Sequence, residues 1–472
     1  DEAVSMPAGG GEKRAEAMGT LAALAHDLAT APVVDDWIAA ARTEDLDPSQ
    51  QSALREFERT HRNRTCLSAD FVSRKVNAQI RCEQLWRSLR AKNDWDGFLP
   101  AFEAIVALAR EEAQLRAAAL GLSPYDALVE QFDPGSRSAE IATVFADLKR
   151  FLTGFIPEAL EAQARRRAAR PAKPFHGDFP PERQKMLGVT LMTAVGFDFD
   201  HGRLDISHHP FCNGVPSDVR MTTRYTTHEF LSSLMGILHE TGHGLYEQGL
   251  PAEWQHWPSG KARGMAMHES QSLFQEMQIS RTREFWSFAL PLARDHLGTE
   301  QLAGFEVDDL IAHVQKIEKG YIRVDADEVT YPLHVILRFE IEKDLIEGRL
   351  AAKDVPEAWD AKMRDYLGLS TIDNPKDGPM QDVHWPSGAF GYFPSYTLGA
   401  LIAAQLRAAM ARDMPDLGAQ IGRGDFAAIN DWRRRKIWQK ASMASTDAIL
   451  REATGEGLSA RHFEDHVKRR YL

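Results

Sequence analysis

Hydrophobic residues recur at intervals of three and four along most of this chain. Two long examples are EKRAEAMGTLAALAHDLATA (residues 12–31) and AFEAIVALAREEAQLRAAAL (residues 101–120), which are also rich in Ala, Leu and Glu. Apolar residues at this spacing share one face of a helix, and these residue types favour helical backbone. The same spacing occurs in four further segments, residues 69–92, 139–167, 182–195 and 398–410. The pattern therefore predicts a mainly α-helical fold.

Two stretches interrupt the helical pattern. Residues 197–225, FDFDHGRLDISHHPFCNGVPSDVRMTTRY, place Gly and Pro turns between short alternating runs, which is typical of a small β-ribbon. Residues 370–394, STIDNPKDGPMQDVHWPSGAFGYFP, are rich in Gly, Pro and aromatic residues and predict a long ordered loop. Loops of that length are uncommon within helical proteins and are often functional.

No polar, low-complexity linker divides the chain, and no repeat of about 30–45 residues stands out. A sequence of 472 residues is long enough for one large core or for two or three ordinary domains. The absence of a linker favours one large helical domain over residues 1–472.

Composition and charge exclude several classes of protein. The chain is 43% hydrophobic and 26% charged, as in soluble globular proteins, and no apolar run approaches the length of a membrane-spanning helix. Its first residues lack the basic and apolar regions of a signal peptide.

The net charge of −12 argues against a nucleic acid or a membrane as partner, because both need a basic surface. The basic run RRRK (residues 433–436) is more typical of a solvated helix face than of a binding site. Three cysteines without a close pair favour a cytoplasmic location over a disulfide framework.

The segment HETGH (residues 239–243) carries the clearest chemical signal. The residues that precede it form an apolar helical stripe, made of Leu231, Leu234, Met235 and Leu238. His239 and His243 are four residues apart, which stacks their rings on one face of a helix about one turn apart. Two imidazoles at this spacing can hold one zinc ion. Glu240 can then reach a water molecule on the same ion and take its proton as the hydroxide attacks a carbonyl.

Chance and helix propensity both bear on this motif. A chain with 17 histidines among 472 residues contains H-E-x-x-H by chance in roughly a few per cent of cases. Gly242 and Gly244 each weaken a helix by about 1 kcal/mol relative to Ala. Either a metal or tight packing would explain why these positions need the space.

A zinc hydrolase uses three protein ligands and keeps one position open. The segment MHESQSLFQEMQIS, after the loop that follows His243, is a predicted helix that carries Glu269. Two neutral histidines and one carboxylate leave a net charge of +1 on zinc, which is a common catalytic set. Glu269 is therefore the favoured third ligand, with His268 as the alternative. Glu276, two turns further on, is more typical of a residue outside the ligand set.

Five short motifs occur in order between residues 218 and 385. They are DVRMT (218–222), HETGH (239–243), HESQ (268–271), IRVDAD (322–327) and GPMQDVHW (378–385). Taken together in this order, they resemble the motifs of the carboxypeptidase Taq family of zinc metallocarboxypeptidases. Apart from the metal motif each is weak alone, but five in order are a strong signal.

The resemblance implies a mostly helical fold with a deep active-site groove, a β-ribbon beside the metal helix, and a homodimer. An N-terminal part, about residues 1–195, would cover the groove, and residues 196–472 would form the catalytic part. His239, His243 and Glu269 would bind one Zn²⁺, for which Co²⁺ can substitute, and Glu240 would be the general base. The implied activity is the release of single residues from free peptide C-termini, with broad specificity and poor cleavage next to proline.

An enzyme of this kind must recognise a free carboxylate, and the planar guanidinium group of arginine suits that task. Arg323 and Arg220 are the candidates. Arg323 ranks first because the family associates the IRVDAD motif with the terminus of the substrate. The alternative for either arginine is a structural ion pair with one of three nearby acids, Asp218, Asp325 and Asp327.

The long loop and the β-ribbon supply the remaining candidates. His384 and Tyr392 could stabilise the oxyanion, and Tyr396 could contact the substrate, although each could instead be packed in the core. The segment that contains His208 and His209 could align a substrate as an added β-strand or form a simple hairpin.

Other functions stay open on the sequence alone. An oligopeptidase with the same metal motif would cut internal bonds and would need no carboxylate anchor. An aminopeptidase would need acids to hold an α-amine, whereas the candidate anchors here are arginines. A catalytically silent peptide-binding scaffold is a third possibility, and the presence of Glu240 argues against it, because a scaffold has no use for a base beside the metal.

Overall fold

The computed structural model describes Val4, Pro7, residues 11–207 and residues 210–472. Most of these residues are α-helical, and a small sheet lies between two series of helices. The helices before the sheet are α1 (Gly11–Ala29), α2 (Val33–Ala41), α3 (Pro48–Thr65), α4 (Ala69–Ala91), α5 (Trp95–Leu120), α6 (Pro124–Phe132), α7 (Ser138–Ala169) and α8 (Pro181–Ala194).

The second series contains the candidate metal residues. Its helices are α9 (Leu231–Gln248), α10 (Met265–Leu273), α11 (Arg283–Leu297), α12 (Val307–Val314), α13 (Tyr331–Ile346), α14 (Val355–Leu367), α15 (Pro394–Asp413), α16 (Leu417–Arg423), α17 (Ala427–Lys436), α18 (Thr446–Thr454) and α19 (Arg461–Tyr471). Between α10 and α11 the chain forms a π-helical segment, Phe274–Ser280. Such segments are rare and are often found at functional sites.

Each segment predicted as a helix lies in one, with ends that differ by a few residues. Helix α5 shows why its ends lie where they do. The Asp94 carboxylate accepts a hydrogen bond from the backbone N–H of Gly97 at 2.8 Å, and the helix ends at Gly121, whose φ of 68° is left-handed. Helix α15 begins at Pro394, earlier than the apolar pattern indicates, because proline suits the first turn of a helix.

The predicted β-ribbon is a three-stranded sheet formed by β1 (Gly202–Ile206), β2 (Phe211–Val215) and β3 (Asp218–Thr223). Its order is β1-β3-β2, with β1 parallel and β2 antiparallel to the central strand β3. Val219 and Met221 of β3 are fully buried, and the sheet packs against α9. A mainly α fold with a small sheet beside α9 is therefore confirmed. His208 and His209 lie outside the described residues.

One hydrophobic core extends from Cys82 to Tyr471 and so includes residues on both sides of position 195. The organisation of the chain as one domain with an N-terminal covering part stays a prediction. The three cysteines, Cys66, Cys82 and Cys212, are free thiols. Within the described residues, no helix combines the length and the apolar character that crossing a membrane requires.

Helix α10 is held tightly between α9 and α15, with a glycine at each contact. A β-carbon at Gly242 of α9 would stand 2.6 Å from the Cα of Ser272 and closer still to the carbonyl oxygen of Gln271. A β-carbon at Gly399 of α15 would stand 2.7 Å from the Cβ of Glu269. Helix α9 is consequently buried on most of its surface and not along a single stripe. Tight packing thus explains Gly242.

We expect Gly242→Ala to lower the free energy of unfolding by about 1–3 kcal/mol, because the added methyl group must push α10 away from α9. Gly236→Ala is the matched control on the same helix. The nearest atom to a β-carbon there is Pro210 Cγ at 4.0 Å, so alanine should be neutral or stabilising by up to about 1 kcal/mol. Urea unfolding followed by circular dichroism measures both, and equal effects of the two variants would contradict the packing argument.

Candidate metal centre

Three side chains converge where α9 meets α10. The donor atoms of His239, His243 and Glu269 all lie within 4.8 Å of one another. Oε2 of Glu269 is 3.4 Å from Nε2 of His243 and 3.9 Å from Nε2 of His239. Two imidazole nitrogens and one carboxylate oxygen form a donor set that fits a catalytic divalent metal such as zinc.

The Nδ1 atom of His239 is held by a carboxylate from the π-helical segment. It lies 3.0 Å from Oε2 of Glu276, and Oε1 of Glu276 accepts a hydrogen bond from Arg281 at 2.5 Å. Burial raises the pKa of Glu276, but Arg281 and then His239 lower it further, to about 2. The anionic Glu276 therefore accepts a hydrogen bond from Nδ1–H of His239, which directs Nε2 towards Glu269, where it can bind a metal in place of a proton. Glu276 thus lies beside the ligand set, as the sequence indicates.

The Nδ1 atom of His243 is held by a second histidine. It lies 2.6 Å from Nδ1 of His268, whose Nε2 lies 2.8 Å from Oε1 of Glu247. Since Glu247 accepts from Nε2–H of His268, Nδ1 of His268 is the acceptor for Nδ1–H of His243. Burial, reinforced by His268, lowers the pKa of His243 to about 4, so the ring is neutral. The Nε2 lone pair of His243 is again left for a metal, and His268 faces His243 rather than Glu269.

Glu240 follows His239 in the chain and is 93% buried, with a relative exposure of 7%. Its side chain forms no hydrogen bond with any residue that the structure describes. Burial raises the pKa of Glu240 to about 7, and the negative charge of Glu269 adds to the shift against the opposing effect of His239. A carboxylate with a raised pKa and no partner is suited to accept a proton.

The long loop brings an acid to two buried arginines. Oδ1 of Asp382 accepts from Nε and Nη2 of Arg323 at 3.0 and 2.9 Å, and Oδ2 accepts from Nε of Arg338 at 2.7 Å. The arginines hold the pKa of Asp382 well below its usual range despite burial. Two guanidinium groups against one carboxylate leave one net positive charge. Arg323 therefore does form an ion pair, which the sequence leaves open as the alternative to substrate binding, but its partner is Asp382 of the loop and not Asp325 or Asp327.

Arg220 has a different environment from Arg323. It lies on β3 and is partly exposed, and its Nε and Nη2 atoms donate to the two carboxylate oxygens of Asp218 at 2.9 and 2.8 Å. This is the ion pair that the sequence offers as the alternative to substrate binding. A role for Arg220 in substrate binding stays a prediction.

Candidate aromatic residues gather beside Arg323. Nε2 of His384 lies 2.9 Å from the hydroxyl of Tyr396, and the ring of Tyr392 lies 5.2 Å from that of Tyr396. The guanidinium carbon of Arg323 is 4.7 Å from the centroid of the Tyr396 ring. Burial and then Arg323 lower the pKa of His384 to about 3, so this imidazole is neutral and offers one N–H.

Tyr331 lies beside the candidate site, and the sequence carries no signal for it. It is the first residue of α13 and is 92% buried, with a relative exposure of 8%, and its ring lies 6.3 Å from that of Tyr396. Burial and then the charge of Glu269 raise its pKa well above the usual value, while Arg323 opposes the shift. Tyr331 therefore stands close to both the metal ligands and the arginine pair.

One buried acid holds the long loop. Glu342 of α13 accepts hydrogen bonds from Nε1 of Trp385 at 3.1 Å, from the backbone N–H of Gly391 at 3.2 Å, and from the hydroxyl of Tyr125. Burial raises the pKa of this carboxyl to about 7. The loop is ordered, as predicted, and Glu342 fixes the segment that carries His384.

The basic run RRRK does not form a wholly solvated face, which corrects the interpretation of the sequence. Arg433 has a relative exposure of 1%. Its Nη2 atom donates to the carbonyl oxygen of Gln271 at 3.1 Å, and its guanidinium carbon lies 4.9 Å from the Phe274 ring centroid. This arginine therefore supports the helix that carries Glu269.

The whole chain is similar to known metallopeptidases. Residues 1–471 match the family described as carboxypeptidase Taq (M32) metallopeptidase. The chain is 37% identical to thermostable carboxypeptidase 1 of Thermus thermophilus and 32% identical to carboxypeptidase 1 of Bacillus subtilis, over 100% of this chain and 93% of each relative. It matches the solved structure of metallocarboxypeptidase 1 of Trypanosoma cruzi with a TM-score of 0.95 and 41% identity, covering 100% of this chain and 94% of that one.

We expect His268→Leu to weaken the binding of a divalent metal about 10–100-fold, because His243 loses the acceptor that orients its ring. His268→Gln keeps an acceptor oxygen, so its affinity for the metal should lie between that of His268→Leu and that of the parent protein. His256→Leu, which removes an exposed histidine, is the matched control and should bind metal like the parent. Competition with a chromophoric chelator measures the affinities. An unchanged affinity in His268→Leu would contradict the assigned role.

We expect Asp382→Asn to lower the free energy of unfolding at pH 7 by about 3–5 kcal/mol, because it leaves two buried arginines without their acid. The pKa of Asp382 is depressed in the folded protein, so its stabilisation is complete above about pH 4 and is lost as the pH falls below that value. The difference between the parent and Asp382→Asn should therefore shrink by about 1.4 kcal/mol per pH unit below about pH 4.

Asp325→Asn is the matched control for this substitution, because Asp325 belongs to the IRVDAD motif and is exposed. It should change stability by no more than about 0.5 kcal/mol at any pH. Denaturant unfolding between pH 7 and 3 tests both variants, and a pH-independent effect of Asp382→Asn would show that charge is not its basis.

Proposed function

The chain belongs to the carboxypeptidase Taq (M32) family of metallopeptidases, and from that premise we propose that it is a zinc-dependent exopeptidase that removes single residues from the C-terminus of peptides. It is a metallocarboxypeptidase, and hence a hydrolase. The observation that carries the proposal is the arrangement of the site. A three-donor metal set lies close to a buried arginine pair that has one positive charge in excess.

The metal would be held by His239, His243 and Glu269, and when bound it supplies a Lewis acid that polarises the scissile carbonyl. Glu240 acts as the general base and accepts a proton from the attacking water. After the attack, Glu240 gives that proton to the leaving amine. The assignment is supported by the burial of Glu240, by its lack of a hydrogen-bond partner among the described residues and by its raised pKa.

Arg323 anchors the C-terminal carboxylate of the substrate. Its Nε and Nη2 atoms are engaged by Asp382, which leaves Nη1 without a partner among the described residues. Because Arg338 shares the same acid, the net charge of the cluster favours one further anion. A buried, charge-assisted hydrogen bond to that anion would be strong and directional.

His384 and Tyr392 donate to the oxyanion as it forms, and Tyr396 contacts the substrate. His384 and Tyr396 form one hydrogen-bonded pair, and Tyr392 packs against Tyr396. Glu269 raises the pKa of Tyr392 and Tyr396, in both cases after the larger effect of burial, which supports a position near the metal ligands. High pKa values keep both phenols protonated, as a donor must be.

Further properties of the enzyme follow from the same resemblance. We propose broad specificity with poor cleavage next to proline, a homodimer, a cytoplasmic location, and activity with Co²⁺ in place of Zn²⁺, since nitrogen and oxygen donors accept both ions. Light scattering coupled to size exclusion tests the dimer, and metal replacement followed by assay tests the ion.

The decisive experiment compares one short peptide with a free C-terminus and the same peptide with a C-terminal amide. Mass spectrometry should show stepwise loss of C-terminal residues from the free form only. Chelation should abolish this activity, and Glu240→Gln should lower kcat by about 10²–10⁴-fold, because the general base is lost. Arg323→Gln should lower kcat/KM for the free form at least about 30-fold, as expected when a buried charge loses its partner.

Arg81→Gln, which removes an exposed arginine of α4, is the matched arginine control and should have little effect on kcat/KM, whereas Arg220→Gln tests the second candidate anchor. A loss confined to Arg220→Gln would move the carboxylate anchor to β3. Cleavage of both peptide forms at internal bonds would assign the chain as an oligopeptidase, and removal of N-terminal residues would assign it as an aminopeptidase. A protein that binds metal and cleaves neither form would be a peptide-binding scaffold.

A further inference from the structure

A cavity of about 560 Å³ lies apart from the metal ligands. It is open to solvent and is lined by the π-helical segment and by parts of α11, α12, α15 and α19. None of His239, His243 and Glu269 lines it. The wall formed by α15 carries small side chains one turn apart, Ala404, Ala408 and Ala411, which leave the interior open.

The cavity is lined by one acid, Glu284, and by four arginines: Arg283, Arg407, Arg469 and Arg470. Arg283 is paired with Asp308, and Arg470 donates to Glu328 at 2.8 Å. Within the part of the chain that the structure describes, Arg469 donates to a single acceptor, the backbone carbonyl oxygen of Asp465. Among the residues that the structure describes, Arg407 has neither a hydrogen bond nor an ion pair. Four arginines against three acids, Glu284, Asp308 and Glu328, leave the cavity with one positive charge in excess.

Arg407 is the central group of this cavity. It is half-buried on α15. Burial lowers its pKa to about 10, with Arg470 and Arg469 acting in the same direction and Glu284 in the opposite one. It consequently remains a cation at neutral pH. A partly desolvated guanidinium group without a partner is stabilised by an anion placed against it.

Gln278 provides an independent indication of a ligand. Its relative exposure is 2%, and it lines the same cavity. Its Oε1 atom is buried without a hydrogen-bond partner, and within the described chain its side-chain amide makes no hydrogen bond. Buried amides are normally satisfied, and the NH₂ group of Gln278, which makes no hydrogen bond within the described chain, can donate to a ligand oxygen, whereas Oε1 is an acceptor and cannot bind an anion.

We propose that this cavity binds a phosphate group, either as free phosphate or as a phosphate monoester. Arg407 comes from α15, Arg469 and Arg470 come from α19, and Gln278 comes from the π-helical segment. Donors that approach from three elements suit a tetrahedral dianion better than a planar carboxylate, which one arginine fork satisfies. The volume exceeds that of phosphate, and the alanine wall of α15 offers an apolar surface to an ester group.

The bound anion lies at one end of a chain of buried charges. Arg470 and His466 line the cavity and both contact Glu328. The charge of Glu328 acts on Arg281, which donates to Glu276, the partner of His239. The ligand therefore lies outside the catalytic site but next to residues that are linked to it.

Isothermal titration of the metal-loaded protein with inorganic phosphate, at low ionic strength, tests the proposal. We expect saturable binding at one site per chain. Arg407→Gln should weaken phosphate binding at least about tenfold, since a charge-assisted contact is lost. The affinity of Arg407→Lys should lie between those of Arg407→Gln and the parent protein. Arg81→Gln removes an exposed arginine of α4 that does not line the cavity, and it should bind phosphate like the parent.

The same titration with glycerol phosphate distinguishes the two sources of the phosphate group. Tighter binding of glycerol phosphate than of inorganic phosphate would show that the ester group contacts the alanine wall of α15. Weaker binding would show that the site takes free phosphate. Absence of saturable binding to the parent protein would overturn the proposal. So would binding that Arg407→Gln leaves unchanged but a chelator abolishes, because the phosphate would then be at the metal centre.

Discussion

The close contact of three helices is the constraint on which the rest of this structure depends. Helix α10 can carry Glu269 to the two histidines only because α9 and α15 approach it without side chains at Gly242 and Gly399. Arg433 then reinforces α10 from a third direction, through Gln271. Helices that pack at this distance cannot shift independently, so the separation of the three donor groups is set by backbone contact.

The rigid packing of these helices also fixes the hydrogen-bond partners of the two histidines. Each imidazole of the candidate metal set has a separate partner at Nδ1, an acid for His239 and a second histidine for His243. These partners fix the orientation of each ring, so that both Nε2 atoms face the carboxylate of Glu269. The arginine pair is also held by a buried partner. Asp382 accepts hydrogen bonds from Arg323 and Arg338, and its single negative charge neutralises only one of the two cations.

Local patterns predicted the parts of the molecule that depend on local chemistry. The helices followed from apolar spacing, and two histidines one turn apart with an acid on the next helix were enough to identify a donor set that the fold brings together. The partner of Arg323 could not be predicted in this way, because Asp382 lies 59 residues further along the chain and reaches Arg323 only through the folding of a loop.

The solvent exposure predicted for Arg433 was wrong for a related reason. A run of four basic residues indicates solvent exposure, yet aromatic rings and a backbone carbonyl bury one of the four. Tyr331 and Arg338 carry no local signal, because their positions result from how α13 packs.

The π-helical segment Phe274–Ser280 has a consequence for how this chain can change over evolutionary time. A π-turn holds one residue more than an α-turn, so it marks a place where an extra residue is accommodated without unwinding the helix. Glu276 lies inside it, after Glu269 and before Arg281. Deletion of one residue between Glu269 and Glu276 would restore an α-helical repeat and rotate Glu276 by about 100° relative to Glu269. Of the two acids that face His239, one would then point elsewhere. The contact between Glu276 and His239 therefore depends on the length of this short segment as well as on its composition.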